Sequence, residues 1–200
     1  YYAIGLTYAN GPLNLAAVVD QTNFSTTKWN GVDWGNPVDD ALTVTVGGNY
    51  DFQVVKLYAG AQYFDNADLN SIDNIFSKDF ALSPAQTERF QVKGYGLTIG
   101  ADIPAAGGTF KVATSYLDGT IDKVNGWDMA TAIGATFGEI DISRWNTSAG
   151  YLYSLSKRTS LYGVASYSYQ TVKGQKDFNG YSLDVAPTVI EVAAGIVHKF

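Results

Sequence analysis

The 200-residue sequence has no cysteine, one histidine and one methionine, and only 16% of its residues are charged. The absence of cysteine excludes disulfide bonds and thiolate metal sites. The charged fraction is well below the roughly 25% that is usual for soluble domains. The net charge of −6 argues against nucleic acid as a partner, because nucleic-acid-binding surfaces are basic.

Long hydrophobic runs are also missing. The longest clean apolar run is Leu15–Val19, far below the about 18 residues that a membrane-spanning helix needs. A spanning strand needs only about 9–11 residues and leaves a weaker signal. The composition therefore excludes a membrane helix and leaves a membrane strand open. Since the chain starts with Tyr-Tyr and shows no signal peptide, we interpret it as processed or truncated.

The sequence does contain apolar residues at every second position, in nine separate segments. In the last segment Ile190 and Val192 share one face of a strand, while Glu191 and Ala193 share the other. This period of two predicts β-strands rather than helices. The predicted strands are 1–9, 13–21, 41–50, 52–64, 93–103, 109–117, 144–155, 160–170 and 188–200.

The predicted connections alternate between short and long. Short turns are predicted at 10–12, as a single step near Asp51, at 104–108 and at 156–159. Long loops are predicted at 22–40, 65–92, 118–143 and 171–187. Transmembrane β-barrels have short periplasmic turns and longer extracellular loops. We therefore predict an all-β fold, an antiparallel up-and-down transmembrane β-barrel with about nine strands in this chain. A water-soluble β-sandwich is the alternative.

Aromatic residues gather near both ends of the predicted apolar face. Tyrosine and tryptophan favour membrane interfaces because the ring is apolar and its tip is polar. Two aromatic levels around an aliphatic band therefore favour the barrel over the sandwich. The outer level contains Tyr63, Tyr95, Tyr116, Trp145, Tyr167 and Tyr169, and the inner level contains Tyr8, Tyr50, Phe110, Tyr153 and Phe200.

Several segments resemble a known family. The terminal Phe200, after alternating apolar residues, resembles the last strand of Gram-negative outer-membrane proteins. Segment 151–170 (YLYSLSKRTSLYGVASYSYQ) resembles an LSKRT hairpin of neisserial and β-proteobacterial general diffusion porins, and segments 95–116 and 2–19 resemble other hairpins of that family. Such porins have about sixteen strands. The resemblance implies that 1–200 is the C-terminal part of one barrel domain, without an internal boundary. A small closed barrel is the alternative.

The resemblance also implies a location and partners. It places the protein in the bacterial outer membrane, in contact with membrane lipid and lipopolysaccharide. It implies a homotrimer, N-terminal strands of the same barrel that are missing from this sequence, and recognition of Phe200 by the barrel-assembly machinery. We predict no cofactor and no nucleic-acid partner.

Catalytic and metal-binding patterns are sparse. A Ser-His-Asp triad needs a histidine beside a serine, but the single histidine, His198, is predicted to face lipid. Acidic residues such as Asp39, Asp40 and Asp65 fall at predicted loops, where we interpret them as solvated rather than as calcium ligands. We therefore predict no enzyme activity, no catalytic residue and no metal site.

The face opposite the apolar one is predicted to line a water-filled channel. Its charged residues can bias ion passage by Coulomb attraction. The predicted function is passive diffusion of ions and small hydrophilic solutes. Alternatives are a solute-specific channel, a surface barrel whose loops bind a partner, and a loop-catalysed hydrolase. The predicted pore-lining residues are Asp20, Lys56, Asp102, Lys111, Arg144 and Glu191.

Overall fold

The structure of the protein is a computed structural model. The described residues are 1–24, 28–29, 32–33, 39–68, 91–121, 139–174 and 183–199. Every regular element in them is a β-strand. No helix among these residues is long and apolar enough to cross a membrane. Phe200 lies outside the described residues.

The strands form one long antiparallel sheet, in which each strand pairs with its neighbours along the chain. A separate short hairpin is made by β3 and β4. This arrangement confirms the predicted all-β, antiparallel, up-and-down fold. The strands are β1 (Tyr2–Asn10), β2 (Leu13–Thr22), β3 (Lys28–Trp29), β4 (Val32–Asp33), β5 (Ala41–Asp51), β6 (Lys56–Asp68), β7 (Gln91–Ala105), β8 (Gly108–Ile121), β9 (Ile140–Ser154), β10 (Thr159–Gly174), β11 (Leu183–Val185) and β12 (Thr188–His198).

One edge of the sheet is β1, and the other is shared by β11 and β12. Both of these strands pair with β10: β12 along Thr159–Tyr169 and β11 along Val172–Gly174. They therefore act as one interrupted edge strand, and the large sheet has nine strand positions, the number predicted. Within the described residues the two edges do not pair with each other, so the sheet is open.

The turn between β5 and β6 is longer than the single step predicted near Asp51, and that prediction was wrong. The Phe52 N–H donates to the Val55 carbonyl oxygen at 2.9 Å. The Asp51 side chain accepts a 2.7 Å hydrogen bond from the Gln53 N–H, and Gln53 has a φ of +68°. Because the aspartate side chain stabilises a local turn, β6 begins only at Lys56.

The two sides of the sheet stay distinct from strand to strand. Directly paired residues of antiparallel strands share a face. Leu57 pairs with Tyr50 and Ala101, whereas Lys56 pairs with Asp51 and Asp102. The predicted apolar sets therefore merge into one surface, which we call the apolar face, and the alternate sets merge into the polar face.

A cross-strand pair shows how side chains specify this packing. Tyr162 on β10 lies directly opposite Gly195 on β12. A Cβ atom at position 195 would lie 2.6 Å from the Tyr162 hydroxyl oxygen. The tyrosine ring therefore covers the glycine, and a larger residue at this position would have to displace the ring.

Candidate pore wall

All six predicted pore-lining residues lie on the polar face. Lys56, Asp102 and Lys111 lie directly opposite one another on β6, β7 and β8. Glu191 is paired with Ser166 on β10. The polar face is thus continuous from β2 to β12. The remaining two residues, Asp20 and Arg144, belong to the same face through their pairs with Thr43 and Leu117.

Three of these residues form a cross-strand row with Asp51 near the short turns. We call Asp51, Lys56, Asp102 and Lys111 the charged row. The Lys111 Nζ and Asp102 Oδ2 atoms are 2.5 Å apart. The Tyr58 hydroxyl donates to the same oxygen at 3.1 Å, and the Lys56 Nζ lies 5.4 Å from the Tyr58 ring centroid. Acidic and basic groups therefore alternate across four adjacent strands.

From beside the charged row towards the loop end, the polar face carries neutral hydrogen-bonding groups. Asn14 donates to Asn49 across β2 and β5 at 3.2 Å. Nearer the β12 edge of the same face, Asn146 on β9 donates to the Ser168 hydroxyl on β10 at 2.6 Å. Small polar side chains of this kind leave room for water and offer it partners, as the wall of a wet channel requires.

The loop end of the polar face is apolar and buried, which the sequence analysis missed. We call Phe64, Val92, Ile121, Ile140, Ile142 and Val172 the loop-end cluster; their exposed fractions are 2%, 1%, 2%, 4%, 5% and 1%. A Cβ atom at Gly119 would lie 2.7 Å from Val92 Cγ1 and 3.6 Å from Phe64 Cε2. These side chains therefore close over the glycine, and this part of the wall is dry.

A hydrogen-bond network ties strand ends together beside this cluster. The buried Gln91 side chain accepts from the Asp39 N–H at 2.8 Å and donates to the Asp39 carbonyl oxygen at 2.6 Å. It also donates to the Asn66 carbonyl oxygen at 3.1 Å. Asp40 accepts hydrogen bonds from Asn23 and from the Phe24 N–H. One side chain thus connects the ends of β5, β6 and β7.

The apolar face presents aliphatic side chains between the two predicted aromatic levels. At the outer level the Tyr95 and Tyr116 ring centroids are 6.4 Å apart, and those of Tyr116 and Trp145 are 6.2 Å apart. The Trp145 Nε1–H donates to Thr147 at 2.9 Å, so its polar tip is satisfied. Beyond this level Lys93 and Asp65 form a 3.5 Å ion pair.

An open groove of about 1530 Å³ lies on the apolar face, lined mostly by aliphatic side chains such as Leu15, Leu57 and Ile99. It offers few polar groups that could orient a hydrophilic solute. We therefore place the candidate functional surface on the polar face, although the cavity there is smaller.

The described residues contain no group of three or more histidine, cysteine, aspartate or glutamate side chains that could hold a metal ion. His198 Nδ1 and the Thr159 hydroxyl are 2.9 Å apart, so the histidine contacts the neighbouring strand at the short-turn end. The predicted absence of catalysis stays a prediction. The chemistry that the polar face offers is hydrogen bonding and ion pairing.

Comparisons with known proteins agree on one family. The model of the Gram-negative porin family matches residues 1–175. A curated relative from Bordetella pertussis, named an outer membrane porin protein, is 30% identical over 197 residues, which cover 98% of this chain and 45% of the relative. The chain thus spans less than half of the relative's length. No solved structure matches the chain.

Proposed function

Because the chain belongs to the Gram-negative porin family, we propose that it forms part of the wall of a water-filled channel for ions and small hydrophilic solutes. It is an outer-membrane protein, as predicted. Passage is passive, down a concentration gradient, and involves no reaction and no cofactor. The relative is named a porin, which makes the loop-catalysed hydrolase the weakest alternative.

The observation that supports this function is the continuity of the two faces. Ile99 and Val192, both exposed on the apolar face, have exposed fractions of 61% and 77%. Burying that much hydrocarbon in lipid is favourable. The opposite face carries the charged row and the asparagine and serine pairs, which need water. A sheet that separates hydrocarbon from water in this way is suited to a channel wall.

The open edges require further strands. An unpaired backbone group in hydrocarbon costs several kcal/mol, and β1 and β12 each present an unpaired edge within the described residues. We propose that additional strands of the same protein complete a barrel of about sixteen strands. The relative's greater length is consistent with this proposal. The placement of residues 1–200 as the C-terminal part of one barrel domain stays a prediction.

The remaining predicted partners are proposals that follow from the family. They are lipopolysaccharide around the barrel, two further copies in a homotrimer, and the barrel-assembly machinery acting on Phe200. Deleting Phe200 should impair assembly into the outer membrane much more than it alters conductance in barrels that do form. Equal effects on assembly and conductance would argue against the assembly signal.

Conductance of the intact protein tests the proposed function. Purified protein added to a planar lipid bilayer in potassium chloride should raise the current in uniform steps, because each inserted channel adds one fixed conductance. A demonstrably closed barrel that gives no steps would favour a surface protein whose loops bind a partner. Turnover of an ester or peptide substrate would favour the hydrolase.

A further inference from the structure

A basic surface lies at the short-turn end of β9, β10 and β12. Lys157 and Arg158 lie in the turn between β9 and β10, and Lys199 follows the last residue of β12. All three residues are exposed. We call Lys157, Arg158 and Lys199 the basic patch. Its positive charge is opposite in sign to the net charge of −6 of the whole sequence.

The neighbouring strands supply no acidic residue to balance this charge. Segments 145–165 and 192–199, which contain the turn ends of β9, β10 and β12, have neither aspartate nor glutamate. The two ion pairs found among the described residues involve Lys93 and Lys111 instead, on other strands. Within the described part of the chain, the basic patch therefore has no counter-charge of its own.

Hydrogen bonds fix the backbone that carries the basic patch. The Ser156 hydroxyl oxygen accepts from the Arg158 and Thr159 N–H groups at 3.2 and 3.0 Å. The Lys199 N–H donates to the Arg158 carbonyl oxygen at 2.8 Å, which continues the Thr159–His198 pairing by one residue. Arg158 and Lys199 are thus held opposite each other. Like charges in this position repel, so a bound anion would relieve the repulsion.

Exposed apolar side chains lie next to the basic patch. Tyr153 and Leu155 are 42% and 55% exposed, and the Leu155 N–H donates to the Thr159 carbonyl oxygen at 2.9 Å. Tyr153 belongs to the inner aromatic level, so the membrane interface reaches this turn. Apolar side chains beside exposed cations are typical of surfaces that bind anionic lipid, because the first enter the interface and the second pair with phosphate.

The other short turns lack this combination. The turns at 10–12 and 105–108 contain no charged residue. The turn between β5 and β6 is flanked by Asp51 and Lys56, whose charges cancel. An excess of positive charge beside exposed apolar residues is therefore specific to the turn between β9 and β10 among the four short turns.

We propose that the basic patch binds the phosphate groups of anionic phospholipids in the periplasmic leaflet of the outer membrane. Short turns of such barrels face the periplasm. Lys157 and Arg158 pair with phosphate, Lys199 adds to the local positive potential, and Leu155 lies among the acyl chains beside them. This inference goes beyond the channel function and does not depend on conductance, since it requires only that the apolar face meets lipid.

Site-specific fluorescence quenching of the intact protein in phosphatidylcholine vesicles tests the proposal. The sequence has no cysteine, so Leu161→Cys can carry a single fluorophore; Leu161 lies on the apolar face near the turn and is 41% exposed. The quenchers are phosphatidylglycerol and phosphatidylcholine with the same nitroxide-labelled acyl chain. Phosphatidylglycerol should quench more strongly at about 0.1 M salt. The difference should vanish at 1 M salt, where the screening length is about 3 Å.

Substitutions in the labelled protein locate the contact. Lys157→Gln and Arg158→Gln should each lower the relative affinity for phosphatidylglycerol about fivefold, because a basic residue near an anionic lipid surface contributes a free energy of that size. Lys157→Arg should stay close to the parent. Lys111→Gln removes the same charge at the same end of the sheet but on the polar face, so it is the matched control and should leave the affinity unchanged.

The outcomes separate this inference from the channel function. Equal quenching by both lipids, or the same loss in Lys111→Gln as in Lys157→Gln, would overturn the phosphate contact. Equal quenching together with binding of soluble polyglutamate that Lys157→Gln abolishes would assign the basic patch to an acidic periplasmic partner instead. A protein that conducts without a lipid preference rejects this inference alone, whereas a preference without conductance upholds it and rejects the channel.

Discussion

The two ends of the polar face follow opposite physical rules, although the same strands supply both. At the turn end, Lys111 and Asp102 pair in reach of solvent, with exposed fractions of 49% and 23%. At the loop end, Ile121 and Val172 are 2% and 1% exposed. One end interacts through charges and hydrogen bonds, and the other through apolar packing.

If the polar face lines the proposed channel, this difference separates the residues that govern passage from those that govern stability. A charged side chain beside water contributes little to folding, since solvent screens its interactions. A buried aliphatic side chain contributes strongly, since its loss leaves a cavity. We therefore expect substitutions at the turn end to alter selectivity, and substitutions at the loop end to alter stability.

The largest expected effect comes from placing a charge in the loop-end cluster. Ile142→Asp should lower the free energy of unfolding by more than about 3 kcal/mol, because it removes packing and buries a carboxylate. Ser148→Asp is the matched change on the same strand and face, and it should cost less than about 0.5 kcal/mol. Urea unfolding of the intact protein in lipid measures both. Equal losses would contradict a dry loop end.

A smaller effect is expected from a methyl group at two glycines. Gly119→Ala should destabilise the protein by about 1–3 kcal/mol, because the added Cβ would overlap the buried Val92 side chain. A Cβ at Gly163 meets nothing within 4 Å. Gly163→Ala should therefore be neutral or slightly stabilising. If Gly119→Ala were as well tolerated, the close packing around Val92 would be wrong.

The next effect concerns the network at the strand ends. Gln91→Leu should cost about 1–3 kcal/mol, because it leaves the Asp39 N–H without its acceptor in a partly buried place. Amide hydrogen exchange at residues 39–40 should also become faster. Asn14→Ala removes an exposed side-chain hydrogen bond, and it should change stability by less than about 0.5 kcal/mol. Unchanged exchange in Gln91→Leu would refute the tethering role.

The smallest effect on stability, and the clearest one on selectivity, is expected in the charged row. Lys111→Gln should shift the reversal potential in a potassium chloride gradient towards cations, and Asp102→Asn should shift it towards anions, because each leaves its partner's charge uncompensated. Both shifts should shrink at high salt, since the screening length falls to about 3 Å at 1 M. An unchanged reversal potential in both variants would show that neither charge faces the ion path.

The strands and faces could be predicted from the sequence because, through the centre of each strand, the large apolar side chains keep to either the odd or the even positions. The loop ends of β8 and β9 could not be predicted, because the apolar side chains there move from one parity of positions to the other. Even-numbered residues of β9 are apolar at Ile140 and Ile142, whereas odd-numbered residues carry the apolar side chains from Trp145 onward. The prediction therefore begins this strand only at residue 144, and it assigns every residue of the loop-end cluster except Phe64 to a loop.

The contacts of the charged row could not be predicted for a different reason. Lys56, Asp102 and Lys111 were each assigned to the polar face from their own strand. Their alignment in one row depends on the register between β6, β7 and β8, which local alternation does not fix. The Tyr58 hydrogen bond to Asp102 depends on the same register.

The most direct test compares neighbouring residues on one strand. The sequence has no cysteine, so single cysteines at Ser148, on the polar face, and at Ala149, on the apolar face, give clean signals. In lipid, a membrane-impermeant thiol reagent should modify Ser148→Cys and reduce its current, and should leave Ala149→Cys unmodified. Modification of Ala149→Cys alone would mean that the apolar face meets water, which would contradict the proposed channel wall.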